Sequence, residues 1–156
     1  MLRRLAVVLI CAGTVFGQKY TGPRPEKADL PYLVHADNLT ATEAGEAKEE
    51  DRKGDHIAII AGATSPAATP LNSPIFIIRV DKINPDQLEV YRLESKNGNR
   101  EVILTHKGKP VAKPVISTIT KVGDDLYKLE VNQDLPIGEY SISPQGSNQV
   151  FCFRVY

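Results

Sequence analysis

Three histidines are the residues of this chain best suited to metal or acid–base chemistry: His35, His56 and His106. Asp37 lies two residues after the first histidine, and Asp55 directly precedes the second. Three imidazoles, or two imidazoles and a carboxylate, can hold Zn²⁺ with an open coordination position for a catalytic water. None of these residues has a diagnostic spacing such as HExxH, so a metal-dependent enzyme stays an alternative rather than the first interpretation.

Cys152 is the residue that would carry thiol chemistry. In residues 150–155 (VFCFRV), strand alternation puts the two phenylalanines on one face and Cys152 with Arg154 on the other. A free cysteine usually packs as a small apolar residue, whereas a neighbouring arginine favours the reactive thiolate. If the phenylalanine face is the core, Cys152 points outward or lies under a covering segment. We expect it to be buried, and keep a thiol-dependent enzyme and a Cys152-linked homodimer as alternatives.

Other residue types give weaker indications. No serine lies in a GxSxG-type nucleophile elbow, and the absence of Trp argues against a sugar-stacking platform. Residues 106–114 (HKGKPVAKP) carry three lysines around two prolines. This segment is interpretable as a site for anionic envelope glycans or lipid headgroups, or as a solvated loop between strands. The sequence predicts no catalytic, cofactor-binding or metal-binding residue.

The composition is that of an ordinary globular domain. Of the 156 residues, 42% are hydrophobic and 24% charged, and 19 basic residues balance 19 acidic ones. A chain of this length fits one domain, whose core can hold without disulfides or metals. Balanced charge argues against a general nucleic-acid binder, because displacing counterions from phosphates requires a surplus of Lys and Arg.

The first 17 residues have the layout of a secretory signal peptide. Two arginines precede an uncharged apolar run of twelve residues, 5–16, which is followed by Gly17. Twelve residues are too few to cross a bilayer as a helix, which needs about 20. We predict cleavage after Gly17, export to the periplasm or extracellular space, and no stable membrane span in the remaining 139 residues.

The remaining chain divides into a short spacer and one domain. Residues 18–31 contain three prolines and few large apolar side chains, which is typical of an extended spacer. Residues 32–156 are predicted to form a single domain. Its first part is ambiguous at residues 41–53, where a capping box at 40–43 favours one short helix. The helix would have a weak apolar face, so a solvated hairpin that turns near residues 51–54 is the alternative.

From residue 75 onward the sequence reads as strands, with a turn signal every eight to twelve residues. Asn97-Gly98 is the strongest hairpin signal, because both central residues of a type I′ turn need positive φ. The strand after it should direct Val102 and Leu104 to the core. Residues 65–74 carry three prolines and are predicted to be a connection without ladder pairing. Seven strands are predicted, with one or two more upstream: residues 75–81, 88–95, 100–106, 115–122, 126–132, 138–143 and 149–155.

This pattern predicts an all-β fold, an antiparallel two-sheet sandwich. Residues 135–140 (LPIGEY) resemble the turn before a late strand of immunoglobulin-like and fibronectin-like domains. The resemblance implies an immunoglobulin-like sandwich with a tyrosine corner, in which the Tyr140 hydroxyl bonds back to upstream backbone. The alternative for Tyr140 is a plain core aromatic beside Ile142.

The C-terminal segment GEYSISPQGSNQVFCFRV, residues 138–155, together with residues 35–39 (HADNL), is similar to an uncharacterised family of small bacterial secreted proteins. This resemblance implies secretion and supplies no catalytic residue.

These expectations give one leading hypothesis, a secreted non-catalytic β-sandwich module that binds a protein or cell-envelope partner through loops or an exposed sheet edge. A small metal- or thiol-dependent enzyme is the alternative from another class. It requires His35, His56, His106 or Cys152 to meet in one pocket, so side-chain geometry discriminates between the two.

Overall fold

The computed structural model describes residues 19–156, so the predicted signal peptide lies outside the described residues. Within this range the chain forms fourteen strands, a single 3₁₀ turn at Pro85–Gln87 and no α-helix, and hence no helix that could span a membrane. The strands are β1 (Pro31–His35), β2 (Asn38–Ala41), β3 (Glu43–Glu46), β4 (Lys48–Arg52), β5 (Asp55–Ala61), β6 (Ala68–Thr69), β7 (Ile75–Arg79), β8 (Leu88–Lys96), β9 (Asn99–His106), β10 (Lys109–Pro110), β11 (Ser117–Lys121), β12 (Leu126–Val131), β13 (Gly138–Pro144) and β14 (Gln149–Val155).

The strands form two packed sheets, which confirms the predicted all-β sandwich. One sheet has five strands in the order β11-β12-β7-β1-β2. The other follows the path β3-β14-β13-β8-β9-β5-β4, with β10 beside β9 and β6 beside β14. The pairings in the described range are antiparallel, apart from the two-residue β6, which runs parallel to β14.

Alternating side chains of both sheets fill the main core. Phe153 lies between two aromatic rings, with Phe76 edge-on at a centroid distance of 4.9 Å and Tyr140 stacked at 5.4 Å. All three side chains are at most 1% exposed. Aromatic pairs in these geometries add about 0.5–1.5 kcal/mol beyond the area they bury. The rings therefore fix how the two sheets face each other.

The tyrosine-corner prediction is confirmed in its geometry. The Tyr140 hydroxyl donates a hydrogen bond of 2.7 Å to the carbonyl of Pro136, four residues upstream. The ring packs in the core while the hydroxyl satisfies a backbone acceptor of the preceding turn. This bond holds the entry of β13 against the core.

The hairpin prediction at Asn97-Gly98 is also confirmed. Asn97 has φ 53° and Gly98 has φ 77°, the left-handed conformations that a type I′ turn demands. The strands on both sides agree with the predicted ranges within two residues, and the other predicted strands after residue 75 are present as well.

Residues 41–53 form strands, so the hairpin interpretation is confirmed and the short helix is wrong. Strand β4 pairs with β5 around a turn at Lys53 and Gly54, both of which have positive φ. A helix here would have had almost nothing apolar to bury. As strands, the same residues gain ladder hydrogen bonds to β14 and β5, which outweighs the local capping signal.

Two further expectations need correction. Six strands lie before residue 75, rather than one or two. The prediction that residues 65–74 make no ladder pairing is wrong at β6. The carbonyls of Ala67 and Thr69 accept hydrogen bonds from the amides of Arg154 and Tyr156, at 2.9 and 3.1 Å. Proline removes a donor but leaves carbonyl acceptors free, so a short strand fits between two prolines.

Residues 19–30 contain no strand and lie against the five-stranded sheet. The amide of Tyr20 donates to the carbonyl of Val122 at 3.1 Å, and its ring packs on the outer face near Ile77. The Asp29 carboxylate accepts hydrogen bonds from the amides of Asp81 and Lys82 at 2.8 and 3.0 Å. Because residues 19–30 cover this outer face, strand β7 is buried on both faces, and its sequence is almost continuously apolar. Ile77, which points to the outer face, is only 1% exposed.

The larger sheet curls back over itself. Strands β3 and β4 lie at opposite ends of its path, yet only Ala47 separates them in the chain. The two ends of the sheet must therefore meet. Strands β8 and β9 pair only near their turn, at Glu94–Lys96 with Asn99–Glu101, and then diverge. As a result, β4, β5 and β9 form a second layer over the face of β8, β13 and β14 that points away from the main core.

A second apolar cluster fills the space under this layer, made of Ala47, Ile60, Leu93, Val150 and Cys152. Arg100 of β9 lies beside it and is fully buried. Its guanidinium donates to both Glu43 oxygens at 2.7 and 3.0 Å and to the carbonyls of Ala61 and Gly62 at 2.8 and 2.9 Å. A second carboxylate, that of Glu139, lies 3.8 Å away.

This group of charges ties three strands together. Burial raises the pKa of Glu43, but the hydrogen bonds from Arg100 outweigh burial and hold that pKa below its usual range. For Glu139 burial prevails and raises the pKa, although the Ser65 amide donates to it at 2.9 Å. In the described range every buried side-chain nitrogen and oxygen has a hydrogen-bond partner. Arg100 therefore joins β9 to β3 and β13.

Replacing Arg100 by Met keeps a long apolar stem but leaves the two carboxylates without their cation. We expect Arg100→Met to lower the free energy of unfolding by about 3 kcal/mol, near the lower end for a broken buried ion pair because Glu43 is partly exposed. Urea denaturation measures this loss.

Arg92→Met, at an exposed position of β8, is the matched control and should change stability little. Adding Glu43→Gln to Arg100→Met should recover part of the loss, because one uncompensated charge is removed. Equal stability of Arg100→Met and Arg92→Met would contradict the assigned role.

Candidate functional site

A cleft opens at one end of the second layer. Its volume is about 210 Å³, and it lies between strands β8, β13 and β14 on one side and β4, β5 and β9 on the other. Pro144 at the end of β13 and the loop of residues 145–148 form its rim. The floor consists of small and aliphatic side chains, several of which belong to the second cluster: Ala47, Ala58, Ile60, Val102, Leu104 and Val150.

One wall of the cleft carries a connected polar group. The Tyr91 hydroxyl donates to Oε2 of Glu89 at 2.6 Å, and the Gln145 amide donates to Oε1 of the same carboxylate at 2.7 Å. Burial, followed by the contact with Glu89, raises the pKa of Tyr91 to about 12. Tyr91 therefore stays a neutral hydroxyl at physiological pH, with its proton directed to Glu89.

Two serines complete this wall. Register pairs Ser141 with Tyr91 and Ser143 with Glu89 across β13 and β8, and both serines line the cleft. Among the described residues that line it there is no imidazole, thiol, lysine or arginine. A serine without a base near neutral pKa is a weak nucleophile, so these groups are suited to bind and orient a ligand.

The three histidines lie apart from the cleft, and each has its own partner. His35 Nε2 is 2.7 Å from the Thr69 hydroxyl, and His106 Nδ1 is 2.5 Å from Asp55. His56 and His106 are on neighbouring strands, β5 and β9, but bind different carboxylates. Within residues 19–156 no three His, Cys, Asp or Glu side chains come together as a metal site.

His56 is held between two carboxylates of β4. Its Nδ1 lies 2.9 Å from Asp51, and its Nε2 lies 3.4 Å from Glu49, which also lines the cleft. The hydrogen bond with Asp51, assisted by the charge of Glu49, raises the pKa of His56 above 6.5 despite some desolvation. Protonated His56 therefore stabilises the β4–β5 hairpin.

A raised pKa in the folded state means that the stabilisation by His56 is complete below about pH 6.5 and is lost as the pH rises through the folded value. We expect amides of the β4–β5 hairpin to exchange more slowly at about pH 5.5 than at about pH 8.5, after correction for intrinsic exchange. His56→Gln should remove this difference.

His35→Gln, on the other sheet, is the control and should retain it. An NMR titration of the His56 ring gives the pKa directly, and a value at or below about 6.5 would refute the prediction.

Cys152 is fully buried under a covering segment, which confirms the expectation of a buried thiol over an outward-pointing one. The covering segment is the second layer. Burial raises the pKa of the thiol to about 12, and the nearby charge of Arg100 opposes this shift only in part. The predicted neighbour Arg154 instead lies over the Tyr156 ring, at 5.4 Å. The homodimer stays a prediction, and it requires the second layer to open because the sulfur has no exposed surface.

With a pKa of about 12, the Cys152 thiol should react very slowly in the folded protein. In a Cys11→Ser chain, whose only cysteine is Cys152, we expect an aromatic disulfide reagent at about pH 8 to label the native protein at least about a hundredfold more slowly than the urea-unfolded protein. Absorbance of the released thiolate follows the reaction. Similar rates in the two states would show an accessible, activated thiol.

The cleft was not predicted from the sequence. Val102 and Leu104, expected to face the core, are half-buried and line the cleft, where Val102 also packs on the second cluster. Much of the remaining lining comes from residues 141–150, within the segment that carries the family resemblance. A usable signal was present in β13 and β14, whose side chains apart from Glu139 and Arg154 are apolar or uncharged on both faces, since such strands are covered on both sides.

The basic segment forms an exposed hairpin and loop rather than a pocket. Lys107 and Gly108 make the turn, both with positive φ, and β10 pairs with the end of β9. Lys107, Lys109 and Lys113 are exposed. The interpretation as a solvated loop agrees with this placement, and binding of anionic glycans or lipids stays a prediction.

Comparison with known proteins adds no identity: no protein-family model matches the chain, and no curated protein or solved structure matches it. The resemblances to immunoglobulin-like domains and to the secreted bacterial family therefore remain expectations, and function must be argued from the cleft.

Proposed function

We propose that this protein is an exported, non-catalytic β-sandwich module that binds a protein or cell-envelope partner, and that the cleft between its two layers is the binding site. One observation carries the proposal, namely the combination of an aliphatic floor with a few hydrogen-bonding groups on one wall. Binding pockets typically have this composition, in which apolar surface supplies affinity and a few polar groups fix orientation.

The cleft is suited to recognition more than to reaction. Tyr91 keeps its proton at physiological pH, and two neutral donors orient the carboxylate of Glu89. The groups with catalytic potential elsewhere are separated, since each imidazole has its own partner and the Cys152 thiol is buried. Binding a ligand without a chemical reaction needs only the polar wall and the aliphatic floor of the cleft.

Export and an envelope partner rest on the sequence of residues 1–17 and on the segment similar to secreted bacterial proteins. That segment contributes β13, the rim loop and β14. The proposed binding site therefore lies in the part of the chain that carries the resemblance. The sequence alone had instead predicted binding through loops or an exposed sheet edge.

A screen by NMR tests the proposed site. Small molecules with an apolar body and one polar group are added to ¹⁵N-labelled protein, and amide shifts are mapped onto the fold. We expect a subset of compounds to shift residues of the cleft, such as Val102, Ser143 and Gly146, at affinities of about millimolar.

Two neighbouring tryptophan substitutions separate the cleft from the rest of the surface. Val102→Trp fills the cleft and should abolish the shifts, whereas Ile103→Trp, on a residue that is 40% exposed, should leave them unchanged. If no compound shifts the cleft in the unsubstituted protein, or if Val102→Trp binds as well as Ile103→Trp, the proposed function is wrong.

A further inference from the structure

The charged side chains of the cleft have one sign. Among the described residues, the charged lining groups are Glu49 and Glu89. Both hydrogen bonds to Glu89 come from neutral donors, Tyr91 and Gln145, so they orient the carboxylate without neutralising it. Glu49 is about half exposed, and its side chain lies 3.4 Å from His56. A ligand with a positive charge therefore complements the cleft.

The size of the cleft restricts the ligand to a single long side chain. The volume of the cleft is about 210 Å³. It lies below the range of about 300–1,000 Å³ that is usual for small-molecule sites. Larger ligands must therefore lie mostly outside, as a polypeptide does when it presents one side chain to a pocket.

The arrangement of floor and wall favours an aliphatic stem that ends in a compact cation. Ala58, Val102 and Val150 offer apolar surface, while Glu89 stands on the wall beside them. An arginine fork binds best to two free oxygens of one carboxylate, but each oxygen of Glu89 already accepts a bond. An ammonium group is a point charge and can use the remaining lone pairs of either oxygen.

We infer that the cleft binds a lysine side chain presented by a partner polypeptide, with the four-carbon stem on the aliphatic floor and the ammonium beside Glu89. This inference rests on the proposed function and deepens it. The stem gains from apolar contact as lysine stems do at protein surfaces, and the ammonium keeps part of its hydration at the open rim.

The test compares two peptides that differ in the charge alone. Ac-Ala-Lys-Ala-NH₂ and Ac-Ala-Nle-Ala-NH₂ are titrated into ¹⁵N-labelled protein, because norleucine has a stem of similar length without the ammonium. We expect the lysine peptide to bind in the cleft about three- to fivefold more tightly, the ratio that a partly exposed ion pair gives. About 0.5 M salt should reduce this preference.

Two charge variants assign the preference to the cleft. Glu89→Gln should remove the preference for the lysine peptide over the norleucine peptide, a loss of about threefold, whereas Glu94→Gln, an exposed position of the same strand, should retain the preference. Equal binding of both peptides in the cleft would overturn the lysine inference and leave the proposed function standing. A lysine preference that persists in Glu89→Gln, or shifts that map elsewhere on the fold, would overturn it too.

Discussion

The single-residue connection at Ala47 is the constraint on which the rest of this structure depends. It joins two strands that occupy opposite ends of one sheet path, so that sheet cannot stay open. Once the ends are brought together, β4, β5 and β9 have to cover the back of β8, β13 and β14. The second cluster, the burial of Cys152 and the cleft all follow from this closure.

The two ends of the covered space differ in chemistry. Near Cys152, Arg100 fills the interior with a cation that satisfies two backbone carbonyls and a carboxylate. A buried ion pair contributes little net stability compared with apolar packing, but it is intolerant of misalignment because a displaced partner leaves a buried charge. Arg100 thus specifies how β9 lies against β3. At the other end no such group is present among the lining residues, and the layer opens as the cleft.

The sequence alone was enough to locate the strands that are marked by a local pattern of alternating apolar residues and turn residues. Alternation and turn chemistry located the strands after residue 75, and Asn97-Gly98 and Tyr140 behaved as their residue types require. Strand β4, by contrast, is a run of five polar residues, KEEDR, without any apolar period. It is a strand because β5 offers it a ladder, which is a tertiary cause that no local pattern contains. For the same reason the cleft was missed, since its walls come from strands far apart in the chain.

The open cleft is itself informative about function. Protein interiors pack as densely as organic crystals, and a hollow beside an apolar cluster forgoes contacts that larger side chains would make. Two floor positions of the hollow, Ala47 and Ala58, carry methyl groups where Val or Leu would reach further. Stabilising replacements of this kind are readily available to most proteins and commonly conflict with function when they fill a binding site. The wall above these alanines meanwhile holds Glu89 in a fixed orientation through Tyr91 and Gln145. An unfilled floor beneath an oriented carboxylate suits the proposed recognition of a ligand, whereas packing alone would require neither.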